Sequence, residues 1–65
     1  MQITVNGQPR DVTDGITIRD LIALHQLTPD KVAIEVNRRL VRADRYDTAL
    51  KGGDVVEIVT FVGGG

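Results

Sequence analysis

The sequence lacks cysteine and tryptophan, and it contains one histidine, one tyrosine and one phenylalanine. Without cysteine, the chain has no disulfide framework, no thiolate zinc site and no thiol nucleophile. The single histidine, His25, is too little for a typical metal site, and we interpret it as a residue near a helix end. Three aspartates, Asp11, Asp14 and Asp20, come without an orienting base or a metal-ligand pattern. We therefore expect no metal and no catalytic residue in this chain.

Long apolar runs and a strong net charge are also absent. No run approaches the roughly 18 residues of a membrane span, and residues 1–5 lack the basic and apolar regions of a signal peptide. The formal net charge is -1, which argues against bulk electrostatic binding to nucleic acid or anionic lipid. Gly52-Gly53 is not followed by Lys and then Ser or Thr, which excludes a P-loop. We expect a cytoplasmic protein with no nucleic-acid partner, no membrane partner and no bound cofactor.

The residues that are present fit one small domain. The chain has 65 residues, of which 42% are apolar, enough for a single core built mainly from Val, Ile and Leu. Residues 1–5 alternate apolar and polar side chains, which predicts a strand with one buried face. Asn6-Gly7 is a strong hairpin signal, since both residues tolerate positive φ.

The second strand is predicted over about residues 8–13, with Val12 inward. Pro9 places this strand at a sheet edge, because proline donates no hydrogen bond to a neighbouring strand. Its register stays open at this point. A two-residue turn pairs Ile3 with Arg10, and a slightly longer turn pairs Ile3 with Val12.

A helix follows the turn at Asp14-Gly15. Thr17 is the predicted N-cap, and Asp20 completes an approximate capping box. The helix should end near Gln26, because Pro29 disfavours helical geometry at the residue before it. The residues that share one helical face are Ile18, Leu21 and Ile22, with Leu24 on its flank and His25 as a further candidate.

The second half of the chain carries three more predicted strands. Residues 32–36 alternate and predict the third strand, which a turn at Asn37-Arg38-Arg39 joins to a short fourth strand from Leu40. Residues 42–47 are polar and predicted to be irregular with one 3₁₀ turn, while Leu50 should fill the core. Residues 55–62 form the last strand, and its continuous apolar character places it in the centre of the sheet.

One helix cannot cover both faces of a sheet, so this order of elements predicts an α+β fold with the helix on one face. Placing the last strand beside the first and parallel to it gives the β-grasp arrangement. We therefore expect a mixed sheet of about five strands, with the first and last strands central and parallel. Residues 1–62 should form this domain, and residues 63–65 a flexible glycine tail.

The charge at Glu57 indicates which way the last strand faces. Val55, Glu57, Val59 and Phe61 should point away from the helix, while Val56, Ile58 and Val62 point inward. Exposed apolar residues in a cluster suggest a docking surface. The predicted docking residues, next to the glycine tail, are Glu57, Val59, Phe61 and Val62.

The glycines themselves are predicted to take part in the chemistry of the protein. Gly63, Gly64 and Gly65 follow a central strand directly, and we expect the chain to hold the α-carboxylate of Gly65 out in solvent. Glycines without a Cβ atom let a tail enter a narrow channel. The tail is therefore the candidate functional group.

Three stretches carry a resemblance to a known family, and it covers essentially the whole chain. These stretches are Met1-Gln2-Ile3-Thr4-Val5-Asn6-Gly7, Val32-Ala33-Ile34-Glu35-Val36-Asn37 and Thr60-Phe61-Val62-Gly63-Gly64-Gly65. With them the chain resembles the ThiS-type sulfur carriers of thiamine biosynthesis, members of the ubiquitin-like β-grasp superfamily. It departs from the family at Arg38, where a small turn residue is common, and at Arg42, where proline is common.

The resemblance implies a carrier rather than an enzyme. It implies that a ThiF-like adenylyltransferase of the E1 class uses ATP to adenylate the Gly65 carboxylate. A cysteine-desulfurase route then supplies sulfur to form a C-terminal thiocarboxylate, from which a ThiG-like thiazole synthase takes the sulfur for the thiazole ring of thiamine.

Two alternatives stay open from the sequence. The chain could carry sulfur for molybdopterin or cysteine synthesis, although molybdopterin carriers tend to be longer. It could instead be a β-grasp binding module that uses its cluster of arginines for an acidic protein or RNA. We interpret that cluster as a solvated turn, because Asp44 and Asp47 are interspersed among its members, Arg38, Arg39, Arg42 and Arg45.

Overall fold

The computed structural model describes residues 1–61, which form five strands, one α-helix and two 3₁₀ turns. The strands are β1 (Gln2–Val5), β2 (Gln8–Asp11), β3 (Val32–Val36), β4 (Arg39–Val41) and β5 (Val55–Thr60), and the helix is α1 (Ile18–Leu24). The sheet order is β2-β1-β5-β3-β4. β1 and β5 are parallel neighbours, and the remaining pairs are antiparallel. The predicted β-grasp fold is confirmed, with β5 central.

The β1–β2 hairpin resolves the open register. Asn6 and Gly7 both have positive φ, 50° and 81°, and they form a two-residue turn that pairs Ile3 with Arg10. Pro9 lies in β2 at the edge of the sheet, as its missing amide hydrogen requires. The shorter of the two predicted turns is therefore the one that forms.

The capping box of α1 forms as predicted. The Thr17 hydroxyl accepts a hydrogen bond from the Asp20 amide at 3.0 Å, and the Asp20 carboxylate accepts one from the Thr17 amide at 3.1 Å. The helix ends at Leu24, two residues before the predicted end, with His25 as its C-cap. Gln26 has φ of 60°, a left-handed conformation that stops the helix.

The core lies between α1 and the face of the sheet that α1 covers. Its buried residues are Ile3, Val5, Ile16, Ile18, Leu21, Ile22, Val32, Ile34, Tyr46, Leu50, Val56 and Ile58. Leu50 is in the core as predicted. Tyr46 is a correction: it lies in the polar segment predicted to be irregular, yet its ring is buried and its carbonyl accepts a hydrogen bond from the Arg19 amide at 2.8 Å.

Three strand boundaries also differ from the prediction. β2 ends at Asp11, two residues before its predicted end. β4 begins at Arg39, because Asn37 and Arg38 alone make the turn from β3. β5 ends at Thr60, although the Phe61 amide still donates a hydrogen bond to the Lys31 carbonyl at 2.8 Å. Val62 and the predicted glycine tail lie outside the described residues.

The β3–β4 turn places an arginine where the β1–β2 turn has a glycine. Arg38 has φ of 70°, a left-handed conformation that costs a residue with a Cβ about 1–2 kcal/mol. Arg38→Gly should remove that cost, partly offset by about 0.4–1 kcal/mol because glycine has more freedom in the unfolded chain. We expect a net stabilisation of about 0.5 kcal/mol, measured by urea unfolding. Arg39→Gly is the control, and it should destabilise β4. A destabilised Arg38→Gly variant would contradict the strain argument.

Candidate functional site

The outer face of the sheet, which points away from α1, carries the predicted docking residues of β5. Val56 and Ile58 are buried beneath the helix, whereas Val55, Glu57 and Val59 are exposed on the opposite side. Phe61, one residue beyond the strand, is 54% exposed. The predicted orientation of β5 is confirmed. The docking role of Glu57, Val59 and Phe61 stays a prediction, and Val62 lies outside the described residues.

Neighbouring strands extend the apolar part of this outer face. Ala33 pairs with Val59, and Leu40 pairs with Glu35, so both side chains lie on the outer face. Leu40 is 70% exposed, the largest exposed fraction among the bulky apolar residues of the described chain. The sequence prediction missed Leu40 because its side of the sheet depends on the length of the Asn37-Arg38 turn.

Two carboxylates lie in the middle of the outer face. Glu35 pairs directly with Glu57 across β3 and β5, and neither forms a salt bridge with another described residue. Like charges at directly opposite positions destabilise a sheet. The outer face therefore combines exposed apolar side chains with a like-charge pair, a composition that favours a partner surface with apolar and basic groups.

The end of β5 is held from both sides. On one side, Thr60 pairs with Val32, and the Phe61 amide bonds to the Lys31 carbonyl. On the other side, backbone pairing with β1 stops at Val56, and the Asn6 side chain replaces it. The Asn6 amide oxygen accepts a hydrogen bond from Ile58 N at 2.7 Å, and its nitrogen donates to Ile58 O at 3.2 Å. The strand that leads to the glycines is thus fixed in position as far as Phe61.

A carboxylate near the end of β5, that of Asp30, is ionised at neutral pH. A hydrogen bond from the Thr28 side chain, together with the Asp30 backbone amide and the Lys31 charge, outweighs desolvation and holds the pKa of Asp30 below its usual range. Asp30 is exposed. It therefore presents a carboxylate beside Lys31 near the end of β5 at any pH above the acid range.

Other predicted features have structural explanations in the described residues. Nδ1 of His25 lies 2.9 Å from the Leu21 carbonyl at the end of α1, so the ring contributes to the cap. Within residues 1–61, no group of three or more His, Cys, Asp or Glu side chains is placed to hold a metal ion. No helix in the same part of the chain has the length and apolar character needed to cross a membrane.

Comparison with known proteins agrees with the fold. The model of the ThiS family matches residues 3–65. The sulfur carrier protein ThiS of Bacillus subtilis is 46% identical over 53 residues, which cover 80% of each chain. The crystal structure of the thiamine biosynthesis protein (ThiS) from Geobacter metallireducens superposes with a TM-score of 0.81 at 30% identity, and the match covers 100% of both chains.

A longer relative is also similar. A thiazole synthase of Magnetococcus marinus is 36% identical over 66 residues, which cover 100% of this chain and 20% of that protein. The chain therefore spans about a fifth of the length of that relative. Sequence, fold and family match agree, and the chain belongs to the ThiS family.

Proposed function

We propose that the working group of this sulfur carrier is the α-carboxylate of Gly65, which a ThiF-like enzyme of the E1 class activates with ATP. The activated end becomes a thiocarboxylate and donates its sulfur to the thiazole ring. One observation carries the proposal: an exposed apolar outer face leads along a firmly anchored strand to the position where the glycines begin. The chain is then a cosubstrate of other enzymes and not itself a catalyst.

The chemistry requires activation because a carboxylate is a poor electrophile. Its oxygen attacks the α-phosphorus of ATP, pyrophosphate leaves, and an acyl-adenylate forms. A hydrosulfide then attacks the carbonyl carbon and AMP leaves, so that one sulfur replaces one oxygen. When the sulfur comes instead from a protein persulfide made by a cysteine desulfurase, its terminal sulfur attacks the carbonyl carbon and AMP leaves, which forms an acyl disulfide. A thiol then attacks the inner sulfur of the protein cysteine, which releases the thiocarboxylate and forms a disulfide.

The length of chain between β5 and the Gly65 carboxylate suits delivery of that carboxylate into an enclosed active site. Four residues follow Phe61, since 65 − 61 = 4, and a chain of that length spans at most about 14 Å. Fixing each residue on docking costs on the order of 1–2 kcal/mol, so a short tail keeps the cost of ordering modest. Gly64 and Gly65 have no Cβ atoms that would block a narrow channel.

The proposed sulfur acceptor is a ThiG-like thiazole synthase. The support comes from the relative of Magnetococcus marinus, which bears that name and contains a segment similar to the whole of this chain. Carrier and synthase sequences joined in one protein indicate that the two act on each other. A pull-down from cell extract should therefore recover thiazole synthase, whereas recovery of a molybdopterin synthase large subunit would support the alternative pathway.

Mass spectrometry of the intact carrier tests the activation chemistry. The purified chain is incubated with ATP, a ThiF-like adenylyltransferase and a sulfide source. We expect the mass gain that replacement of one oxygen by sulfur produces, located by fragmentation at Gly65. A reaction without ATP is the control and should show no gain. An unchanged mass in the complete reaction, with an adenylyltransferase that is active on another ThiS carrier, would refute the proposal.

A further inference from the structure

A second surface, which we name the basic groove, lies at the other end of β5. It has a volume of about 470 Å³ and lies between the β3–β4 hairpin, the start of α1 and the segment before β5. Its apolar lining comes from six residues of three different parts of the chain. They are Ile18, Val36, Leu40, Val41, Ala49 and Leu50. The groove thus lies at the margin of the core, to which Ile18 and Leu50 belong.

Basic side chains surround this apolar lining. The four cations that line the groove are Arg39, Arg42, Arg45 and Lys51. All four are exposed, and none forms a salt bridge within the described chain. The groove therefore carries four positive charges against one lining carboxylate, that of Asp54, which forms no salt bridge with them.

One nearby carboxylate lies in the groove and another is paired outside it. Asp54 lines the groove, but its carboxylate accepts hydrogen bonds from Nδ2 of Asn37 at 3.0 Å and from the Lys51 amide at 2.8 Å. Asp47 accepts a hydrogen bond from Arg19 at 2.8 Å. The arginine cluster is exposed, as its interpretation as a solvated turn expects, but Asp47 is paired with Arg19 outside the cluster and leaves Asp44 as the interspersed carboxylate.

We propose that the basic groove docks an acidic segment of a partner protein in which an apolar side chain enters the groove between carboxylates. Charge complementarity with the four cations and contact with the apolar lining favour this occupant. RNA fits less well, because single-stranded RNA is usually held by stacking its bases on exposed aromatic rings. Tyr46, the aromatic residue within the arginine-bearing segment, is buried in the core.

The position of the basic groove makes this docking independent of sulfur transfer. Val36 and Asp54 lie beside the start of β5, whereas Phe61 follows its end. The five steps from Val55 to Thr60 extend about 17 Å. Leu40 contributes to both surfaces. One protein can therefore hold the basic groove while an enzyme holds Val59, Phe61 and the chain end.

Amide chemical shifts of the full-length, isotopically labelled chain test the proposal. The probe is a short peptide in which aspartates flank a pair of leucines. We expect shift changes at residues that line the basic groove and none at Val59 or Phe61 of the outer face. Arg42→Glu and Arg45→Glu should each weaken binding about tenfold, since each replaces an exposed attraction by a repulsion. Arg10→Glu, an equal charge change on the exposed edge strand β2, should weaken it less than about twofold.

Several results would overturn the proposal. No binding of the peptide would do so, as would equal binding of a peptide with asparagine in place of aspartate. Tighter binding of oligouridylate at the same residues would assign the groove to RNA. Unfolding curves of the variants confirm that they are folded. A chain without Gly64 and Gly65 should bind the peptide normally but carry no sulfur. Peptide binding therefore tests the basic groove, and sulfur loading separately tests the proposed function.

Discussion

Deletion of Gly65 should lower thiazole formation by more than about 10²-fold and leave the fold unchanged. One residue of extended chain covers about 3.3–3.6 Å, and a misplacement of even 1 Å in an active site can cost about 10²-fold in rate. The terminal carboxylate of the shortened chain would not reach the α-phosphorus of ATP. The measurement is thiazole product formed per carrier in a reaction reconstituted from the adenylyltransferase, the sulfur source and thiazole synthase.

Two further variants make this result specific. Addition of one glycine after Gly65 should be as damaging as the deletion, because the reacting carboxylate is again misplaced. Urea unfolding should give the same free energy for all three chains, since their anchored residues are identical as far as Phe61. A shortened carrier that still supports thiazole formation would place the sulfur elsewhere in the chain.

Charge placed on the outer face should weaken association with the adenylyltransferase by about 30-fold or more. Val59→Asp and Phe61→Asp each bury an unpaired carboxylate at the proposed interface, and loss of a central contact costs about 2 kcal/mol or more. Both side chains are more than half exposed in the free carrier, at 55% and 54%, so its own stability should change little. Titration calorimetry gives the dissociation constants.

The matched control for this prediction is Leu24→Asp. Leu24 is 66% exposed but lies on α1, on the other side of the sheet from the outer face. It should leave the affinity unchanged. Leu40→Asp should behave like the two β5 variants, because the register of β4 places Leu40 on the outer face. Equal effects from Leu24→Asp and Val59→Asp would show that docking does not use the outer face.

Local patterns were sufficient to predict most of the fold. The Asn6-Gly7 turn, the Thr17 cap and the alternation over residues 32–36 each depend on residues close in sequence. The charge at Glu57 was enough to orient β5, because side chains of a strand alternate between its two faces. The central position of β5 followed from its apolar character, and the structure has β1 parallel beside it.

Features that depend on distant residues were not predicted. Tyr46 stands in a polar stretch, and only its packing against the rest of the core shows why it is buried. The side on which Leu40 lies follows from a turn of two residues instead of three. The basic groove requires residues from α1, β3, β4 and the segment before β5 to meet, which no local pattern reveals. The docking roles and the chemistry of Gly65 stay predictions.

The two hydrogen bonds between the Asn6 side-chain amide and the Ile58 backbone have a mechanical consequence if the chain end is the proposed working group. An enzyme that draws the terminus inward pulls along the axis of β5. The backbone hydrogen bonds between β5 and its two neighbouring strands lie across that axis. A pulling force therefore loads many of these hydrogen bonds together, in shear, and does not break them one after another. Asn6 adds two more bonds near the loaded end, where β1 has already turned away. A force on the terminus is thereby distributed over the centre of the sheet. We expect the domain to bind and leave an enzyme repeatedly without losing its strand pairing.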